Sequence, residues 1–447
     1  MESMLVLQPK LSPAECLMAS YRLSDIKSVI PKSFCTILLC LAFFPFTPGI
    51  FAESYTQPFY LIFSWSVILY TFFASTNLQI STTVLLIIPL LFLCIAFSVS
   101  NHDLNALAVI LTISSTFLLW SFLRTGPFSN HIYVATVLHW AIVIWLVLAI
   151  IHFSGYNTFL VPSHLANAPE VLKASGRGVL SFAPEPTHYA LHTAALIVLK
   201  LLCDRKVWFF VASLTVLLLT SLSSTLIFLS LTAFCISSVY QIFATSMNRF
   251  SISVRSFILF ALISLVFIVV MPFVGQFFVS DSSTRIGSLL SLISTASLAD
   301  LMDSLELDGS SCARVNGLIQ SIRLSLSSFL LPHGFASPIW QQASLEYCQY
   351  SGVGLSASVP SGYFSLLFVY GFMAIPLLSF LLYRSCVNFR IAGRIGQVYS
   401  FAVALAALIP VTQLHFSDPS LLLAILIPEF THASFNRSDL AENLESA

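Results

Sequence analysis

Arg177, Glu185, His188, Tyr189 and His192 fall within one short stretch of a chain in which only 9% of the residues are charged. The stretch reads Arg177-Gly178-Val179-Leu180-Ser181-Phe182-Ala183-Pro184-Glu185-Pro186-Thr187-His188-Tyr189-Ala190-Leu191-His192. A guanidinium suits an anion, a carboxylate or imidazole can take a proton, and a phenol or imidazole can meet a sugar-like hydroxyl. Glu185 stands between two prolines. Proline is at ease in the first helical position, and the residue before a proline avoids helical dihedrals. The spacing therefore predicts a helix that starts at Pro186 with Glu185 as its N-cap. His188, Tyr189 and His192, three, four and seven residues on, share the face of Glu185. The helix dipole stabilises a carboxylate there as the anion, and only desolvation would make it a base. A plain N-cap accounts for Glu185 equally well, and His188 and His192 taken singly also read as packed histidines. The free backbone N–H groups of the same helix start could hold a phosphate, with Arg177 offsetting the carboxylate.

The elements that must position this cluster follow from composition. The 447 residues are 57% hydrophobic, with a mean hydropathy of +0.91. Soluble domains carry about a quarter charged residues, so the expected class is all-α, a polytopic transmembrane bundle. The net charge of zero argues against a nucleic-acid partner. Apolar runs of about 20 residues, the length needed to cross a bilayer, lie near 33–52, 57–75, 81–99, 103–123, 131–152, 187–203, 206–222, 223–244, 253–276, 361–383, 395–413 and 417–431. That is about twelve spans, with eleven to thirteen compatible. The expected organisation is a cytoplasmic tail over 1–32, one bundle over 33–431 and a C-terminal tail over 432–447. Residues 1–32 lack the signal-peptide pattern.

Orientation follows from counting. With the N-terminus in the cytoplasm, fourteen of the nineteen Lys and Arg fall inside, and Lys173, Arg177, Arg285, Arg314 and Arg323 fall outside. This is the positive-inside bias. It leaves two long extracytoplasmic loops, about 153–186 and 277–358. Within the second, Val315, Leu318, Ile319, Ile322 and Leu326 have helical spacing. Such a helix would lie on the membrane surface or pack on the bundle. Cys312 and Cys348 share that loop, where they could form a disulfide or remain free thiols. No Cys or His spacing suggests a metal.

Four of the five outside cations are Arg, the side chain that binds phosphate in bidentate fashion. Arg177, Arg285 and Arg314 are therefore candidates for an anionic lipid pyrophosphate; exposed salt bridges are the plainer alternative. Arg314 and Arg323 would face opposite sides of a helix. His333, in Leu331-Pro332-His333-Gly334-Phe335, reads as part of a turn. His415 and Asp418 could form a local pair near the last hairpin. The span interiors read as free of Asp, Glu, Lys and Arg except near their ends, which disfavours an ion-coupled transporter. No phosphate-binding loop for nucleotides is present.

The Arg177 to Ala190 run resembles the Arg-x-x-Gly-x-Phe-x-Glu-Pro-Ser-Tyr-type segment of bacterial O-antigen and capsule repeat-unit polymerases (Wzy-type). Ala313-Arg314-Val315-Asn316-Gly317-Leu318-Ile319, followed by Leu331-Pro332-His333-Gly334, resembles that family's Arg-led helix ending in a Pro-x-Gly turn. Ser361-Gly362-Tyr363-Phe364-Ser365-Leu366-Leu367, running into Tyr370-Gly371, is similar to the start of a late helix. The chain departs from the pattern twice. Pro360-Ser361 stands where related ligases carry His-Asn, and Thr220-Ser221-Leu222-Ser223-Ser224-Thr225 lacks an Arg that many relatives place there.

The resemblance implies a glycosyltransferase at the outer face of the bacterial inner membrane. It would move a growing glycan from undecaprenyl pyrophosphate onto the next lipid-linked repeat unit. Arg314, Arg177 and Arg285 would meet the pyrophosphate, and Glu185 would orient or deprotonate the acceptor hydroxyl with His188 or Tyr189 assisting. His192 and His333 are further substrate-binding candidates. No cofactor or metal is implied, and the implied partners are the lipid-linked donor and acceptor, the bilayer, a chain-length regulator and a flippase. An O-antigen ligase is the alternative within enzymes, and a lipid-linked oligosaccharide flippase is the alternative outside them.

Overall fold

The computed structural model describes residues 32–45, 59–66, 82–125, 131–155, 178–183, 186–248, 309–334, 337, 339–340, 342, 362–412 and 418–426. Over these residues the chain is helical, with no strand. The principal helices are α1 (Lys32–Phe43), α2 (Thr82–Ser100), α3 (Leu104–Thr125), α4 (His131–Phe153), α5 (Pro186–Asp204), α6 (Val207–Ser221), α7 (Ser224–Asn248), α8 (Gly309–Ser327), α9 (Gly362–Tyr370), α10 (Ile375–Ile395), α11 (Gln397–Thr412) and α12 (Pro419–Leu426). A further helical stretch covers 59–66.

The centre is α5. Every residue from His188 to Leu202 is buried, the polar ones included. A helix of that kind must be enclosed; α4, α6, α11 and α12 enclose it. The outside of the bundle is as apolar as the inside. Trp140, Ile144, Val147 and Ile150 form an exposed stripe on α4, and Trp208, Val211 and Leu219 form another on α6. Phe228, Leu231, Ile236 and Val239 continue it on α7. Continuous apolar faces of this extent mark contact with something other than water. Among the described residues, two stretches are long and apolar enough to cross a membrane, Val134–Phe153 and Gly362–Ile395.

The second stretch, which contains the expected span over 361–383, is not a single rod. Gly371 adopts φ +57°, and a Cβ there would lie 2.2 Å from the Leu330 carbonyl oxygen. Only glycine meets both conditions. The chain turns through a 3₁₀ segment, Gly371–Ala374. The Tyr363 hydroxyl then reaches Ser385 and donates to the Ala407 carbonyl at 3.4 Å. In a straight helix residues 363 and 385 would be about 33 Å apart. So α9 and α10 are two helices set at an angle across Gly371 rather than one straight rod.

This turn moves Arg384 from an expected cytoplasmic segment into the middle of α10. It is buried, 6% exposed, with its guanidinium 5.8 Å from the Trp120 ring centroid. Phe117 and Phe380 pack beside that ring. The expectation of uncharged span interiors is therefore corrected at Arg384.

The helix expected in the second long loop is α8. Its apolar stripe does not form the packed face: Ile319 and Leu326 are exposed, while Gln320, Ser321 and Ser325 are buried. Small hydroxyl side chains allow close helix contact, and each serine returns its hydroxyl to its own helix, to the Leu318 and Ser321 carbonyls.

Candidate functional site at the start of the central helix

The segment before α5 is pinned at both ends. Gly178 lies so close to Ser221 that a Cβ would stand 1.8 Å from the Ser221 carbonyl oxygen, and the Val179 N–H donates to the Thr220 carbonyl at 3.2 Å. These contacts join Gly178 and Val179 to the junction of α6 and α7. Leu222 turns that junction in a left-handed conformation, and the Ser223 hydroxyl caps α7 through the Leu226 N–H at 3.3 Å. Further on, Ser181 is fully buried and donates to the Trp145 carbonyl at 3.0 Å. Phe182 meets the Trp145 ring edge-on at 5.3 Å. The helix then begins at Pro186, as the Glu-Pro pair predicts.

From that start, the face carrying His188, Tyr189 and His192 turns inward, and all three are buried. Tyr189 stacks on Trp145 at 6.1 Å and shares a hydrogen bond with the Thr220 hydroxyl at 3.0 Å. The His192 ring lies 5.0 Å from Trp145. Its Nε2 is 2.9 Å from the Phe43 carbonyl oxygen, and its Nδ1 is 2.7 Å from Asp418 Oδ2 and 3.0 Å from Ser420 Oγ. A carbonyl only accepts, so Nε2 carries a hydrogen. Nδ1 faces a carboxylate oxygen, so a proton lies between them. On the other side, the Ser420 hydroxyl and N–H donate to Asp418 Oδ1 at 2.6 and 2.9 Å. The Phe43 carbonyl also accepts from Trp145 Nε1 at 3.0 Å.

The network ties the end of α1, the middle of α4, the start of α5 and the start of α12 together, with His192 and Asp418 226 positions apart in sequence. The local signal is Asp418-Pro419-Ser420: Asp at the N-cap, Pro in the first helical position and an N–H two residues on that the carboxylate can take. Asp418 therefore pairs with His192 and Ser420; His415, its expected neighbour, lies outside the described residues. With both ring nitrogens committed to protein groups, His192 positions helices and holds a proton in place.

A second assembly forms at the same end of the bundle. The His333 and Gly334 N–H groups donate to the Phe368 and Val369 carbonyls, both at 3.1 Å, and the Phe372 N–H donates to Leu330 at 2.8 Å. The first two bonds satisfy carbonyls that the end of α9 leaves open. The His333 ring stacks on Phe368 at 4.7 Å, with Nε2 2.8 Å from Ser328 Oγ. Burial against these groups holds its pKa below the ordinary imidazole value. The Tyr370 hydroxyl donates to the Ala106 carbonyl, and Asp103 caps α3 through the Ala106 N–H at 3.0 Å.

No family model matches the chain, and no curated protein or solved structure matches it. The site therefore rests on its own geometry. His188, Tyr189 and His192 come together on one buried face, while His333 sits in the other assembly. Arg314 belongs to α8, and Arg323 on the same helix is exposed. Arg177, Glu185 and Arg285 lie outside the described residues, as does Cys348. Among the residues described, no group of His, Cys, Asp and Glu is arranged to hold a metal ion. Sequence reasoning missed Trp145, Ser420 and the Phe43 carbonyl, since an indole among apolar residues and a backbone oxygen leave no mark in spacing.

Proposed function

We propose that the chain is a multi-pass inner-membrane glycosyltransferase that polymerises polyprenyl-pyrophosphate-linked repeat units at the outer face. The observation that carries this reading is the convergence of the segments on which the family resemblance rests. The Pro332-His333-Gly334 turn is hydrogen-bonded to the end of α9, and Gly178 and Val179, just before α5, pack on Ser221 and Thr220. The polarity of the cations supports the orientation: Lys32, Arg124, Lys200, Arg205, Lys206, Arg390 and Arg394 all belong to helix ends or turns at the opposite end.

In the proposed step an acceptor hydroxyl oxygen bonds to the anomeric carbon of the donor sugar. The bond from that carbon to the pyrophosphate oxygen breaks, and polyprenyl pyrophosphate leaves with the electron pair. The hydroxyl proton passes to the Glu185 carboxylate. Arg314, Arg177 and Arg285 offset the charge developing on the leaving group. His192 and Tyr189 fix the helix start that carries Glu185. Arg314→Ala should abolish polymer, measured as the lipopolysaccharide or capsule banding pattern, without loss of the protein from the membrane fraction; full-length polymer would remove Arg314 from the site.

One observation favours a second reading. A buried cation in a crossing helix is a common feature of transport pathways, and Arg384 is one. A flippase would leave repeat units trapped inside the cell in a deletion strain, a polymerase would leave single-repeat product, and a ligase would leave unattached long polymer.

A further inference from the structure

The end of α8 is closed by two hydrogen bonds: the Leu330 N–H donates to the Ser325 carbonyl at 2.8 Å, and the Phe329 N–H to the Leu326 carbonyl at 3.1 Å. This paired pattern stops a helix through a residue in the left-handed conformation. Glycine fills that position most often, because a side chain is disfavoured there. Here Phe329 takes φ +55° and Leu330 takes φ +59°. The phenyl ring set on this costly backbone is 91% exposed. Glycine would close the same turn more cheaply, and no packing within the bundle accounts for the ring.

The surroundings show what covers it. Ile319, Leu326 and Leu331 are exposed along the same helix and its turn, and exposed Phe372 joins them, its N–H donating to the Leu330 carbonyl at 2.8 Å. From Phe372 the exposed apolar line runs on at helical spacing through Ile375 and Leu382 of α10. That line lies within Gly362–Ile395, a stretch long and apolar enough to cross a membrane. Two contacts fix the depth of the tip. A Cβ on Gly334 would lie 3.0 Å from Asp103 Oδ2, and the Tyr370 hydroxyl reaches the Ala106 carbonyl. The tip thus stands level with the α2–α3 turn, where the apolar runs give way to His102 and Asp103. The packed side of α8 is the polar one, and a helix with polar residues inward and apolar residues outward suits lipid rather than water. Arg323 shares the exposed side, and its long stem can carry the guanidinium to headgroup level.

We propose that the tip formed by Leu326, Phe329, Leu331 and Phe372 is embedded in the bilayer at this end of the bundle, with lipid acyl chains as its partner. Continuity with the exposed line of α10 selects acyl chains: what covers Ile375 and Leu382 also reaches Phe372 and the ring beside it. Burial of the phenyl ring in hydrocarbon offsets the cost of its backbone conformation. The loop expected to lie wholly outside the membrane is then tied to it at 326–331. The Pro332-His333-Gly334 turn that follows is held at headgroup level. The inference rests on the membrane reading of the chain, though not on the proposed reaction.

The test uses the full chain in phosphatidylcholine vesicles that include phosphatidylcholine with a photoactivatable diazirine on its acyl chain. Adducts are mapped by peptide mass spectrometry, and a parallel sample is oxidised by hydroxyl radicals from the aqueous side. Residues 326–331 should take acyl-chain adducts, as the exposed Trp140 and Ile144 stripe of α4 does, and should resist oxidation. Phe329→Asn removes the ring and keeps a residue that tolerates positive φ. It should lower the ratio of acyl-chain to radical labelling at Leu326 and Leu331 about tenfold, the loss of one ring from hydrocarbon, with α4 unchanged. Three results would each overturn the proposal: oxidation of Phe329 without acyl-chain adducts, protection from both reagents as a covering protein surface would give, or wild-type labelling in Phe329→Asn. The membrane reading fails separately, by absence of acyl-chain adducts from the α4 stripe.

Discussion

Replacing Asp418 with alanine and with asparagine separates the role of its charge from the role of its hydrogen bonds. The carboxylate is 3% exposed and serves His192 Nδ1 on one oxygen and two Ser420 donors on the other. Asp418→Ala strips the acceptor from both Ser420 donors and leaves the imidazole without its partner. Breaking a buried pair from one side costs about 3–5 kcal/mol. The lower end applies here, because the Ser420 hydroxyl, already 3.0 Å from Nδ1, can turn its hydrogen to a neutral ring. Asp418→Asn keeps the pattern closed: the amide oxygen accepts from Ser420, and the amide N–H donates to Nδ1 while Nε2–H still donates to Phe43. Only the charge assistance is lost, about 1 kcal/mol. Heating the detergent-solubilised protein and following the monodisperse fraction by size exclusion should rank wild type, Asp418→Asn and Asp418→Ala in falling order, with a wide gap before the last. Equal midpoints for the two variants would refute the argument, because the network would then not depend on an acceptor at Oδ1 and a hydrogen facing Nδ1.

Gly178→Ala would drive a Cβ to 1.8 Å from the Ser221 carbonyl oxygen, so the docked segment must lift; product formation should fall at least tenfold (about 1.4 kcal/mol) with membrane insertion unchanged. Gly371→Ala combines a positive φ with a contact of 2.2 Å to Leu330 and should release the turn between α9 and α10, read as faster proteolysis of residues 328–342. His333 has a lowered pKa in the folded state, so the unfolded chain binds more protons between that value and about 6.5. Its contribution to docking of the turn is thus complete above about pH 6.5 and is lost as pH falls through the folded value. The protection of the 328–334 amides, each rate taken relative to its intrinsic rate at the same pH, should be lower at pH 5 than at pH 7.5, and His333→Gln should flatten the difference.

The helices were legible because each depends on a run of apolar side chains. The expected 131–152 and 187–203 are found as His131–Phe153 and Pro186–Asp204, and the boundary near Ser221 is kept. The proline pair around Glu185 set the start of α5 for a local reason, the dihedral limits of proline. The candidate site was legible in part. The face of His188, Tyr189 and His192 follows from helical spacing, but that this face points inward does not. Spacing says which residues share a side, and only the neighbours decide which side is covered.

What lies beyond the sequence is the set of pairings made across long separations. Phe43, Trp145, His192 and Asp418 meet because the ends of three helices pack against the middle of α4, and no local pattern encodes such a meeting. The turn at Gly371 was hidden for a different reason: a glycine within an apolar run reads as part of one span until the Leu330 carbonyl closes against it. That turn then buries Arg384 in α10. Composition and periodicity therefore determined that this chain is built of apolar helices and where most of them begin. Tertiary packing decided which polar groups those helices enclose, because the partners of a buried charge are chosen by proximity in space.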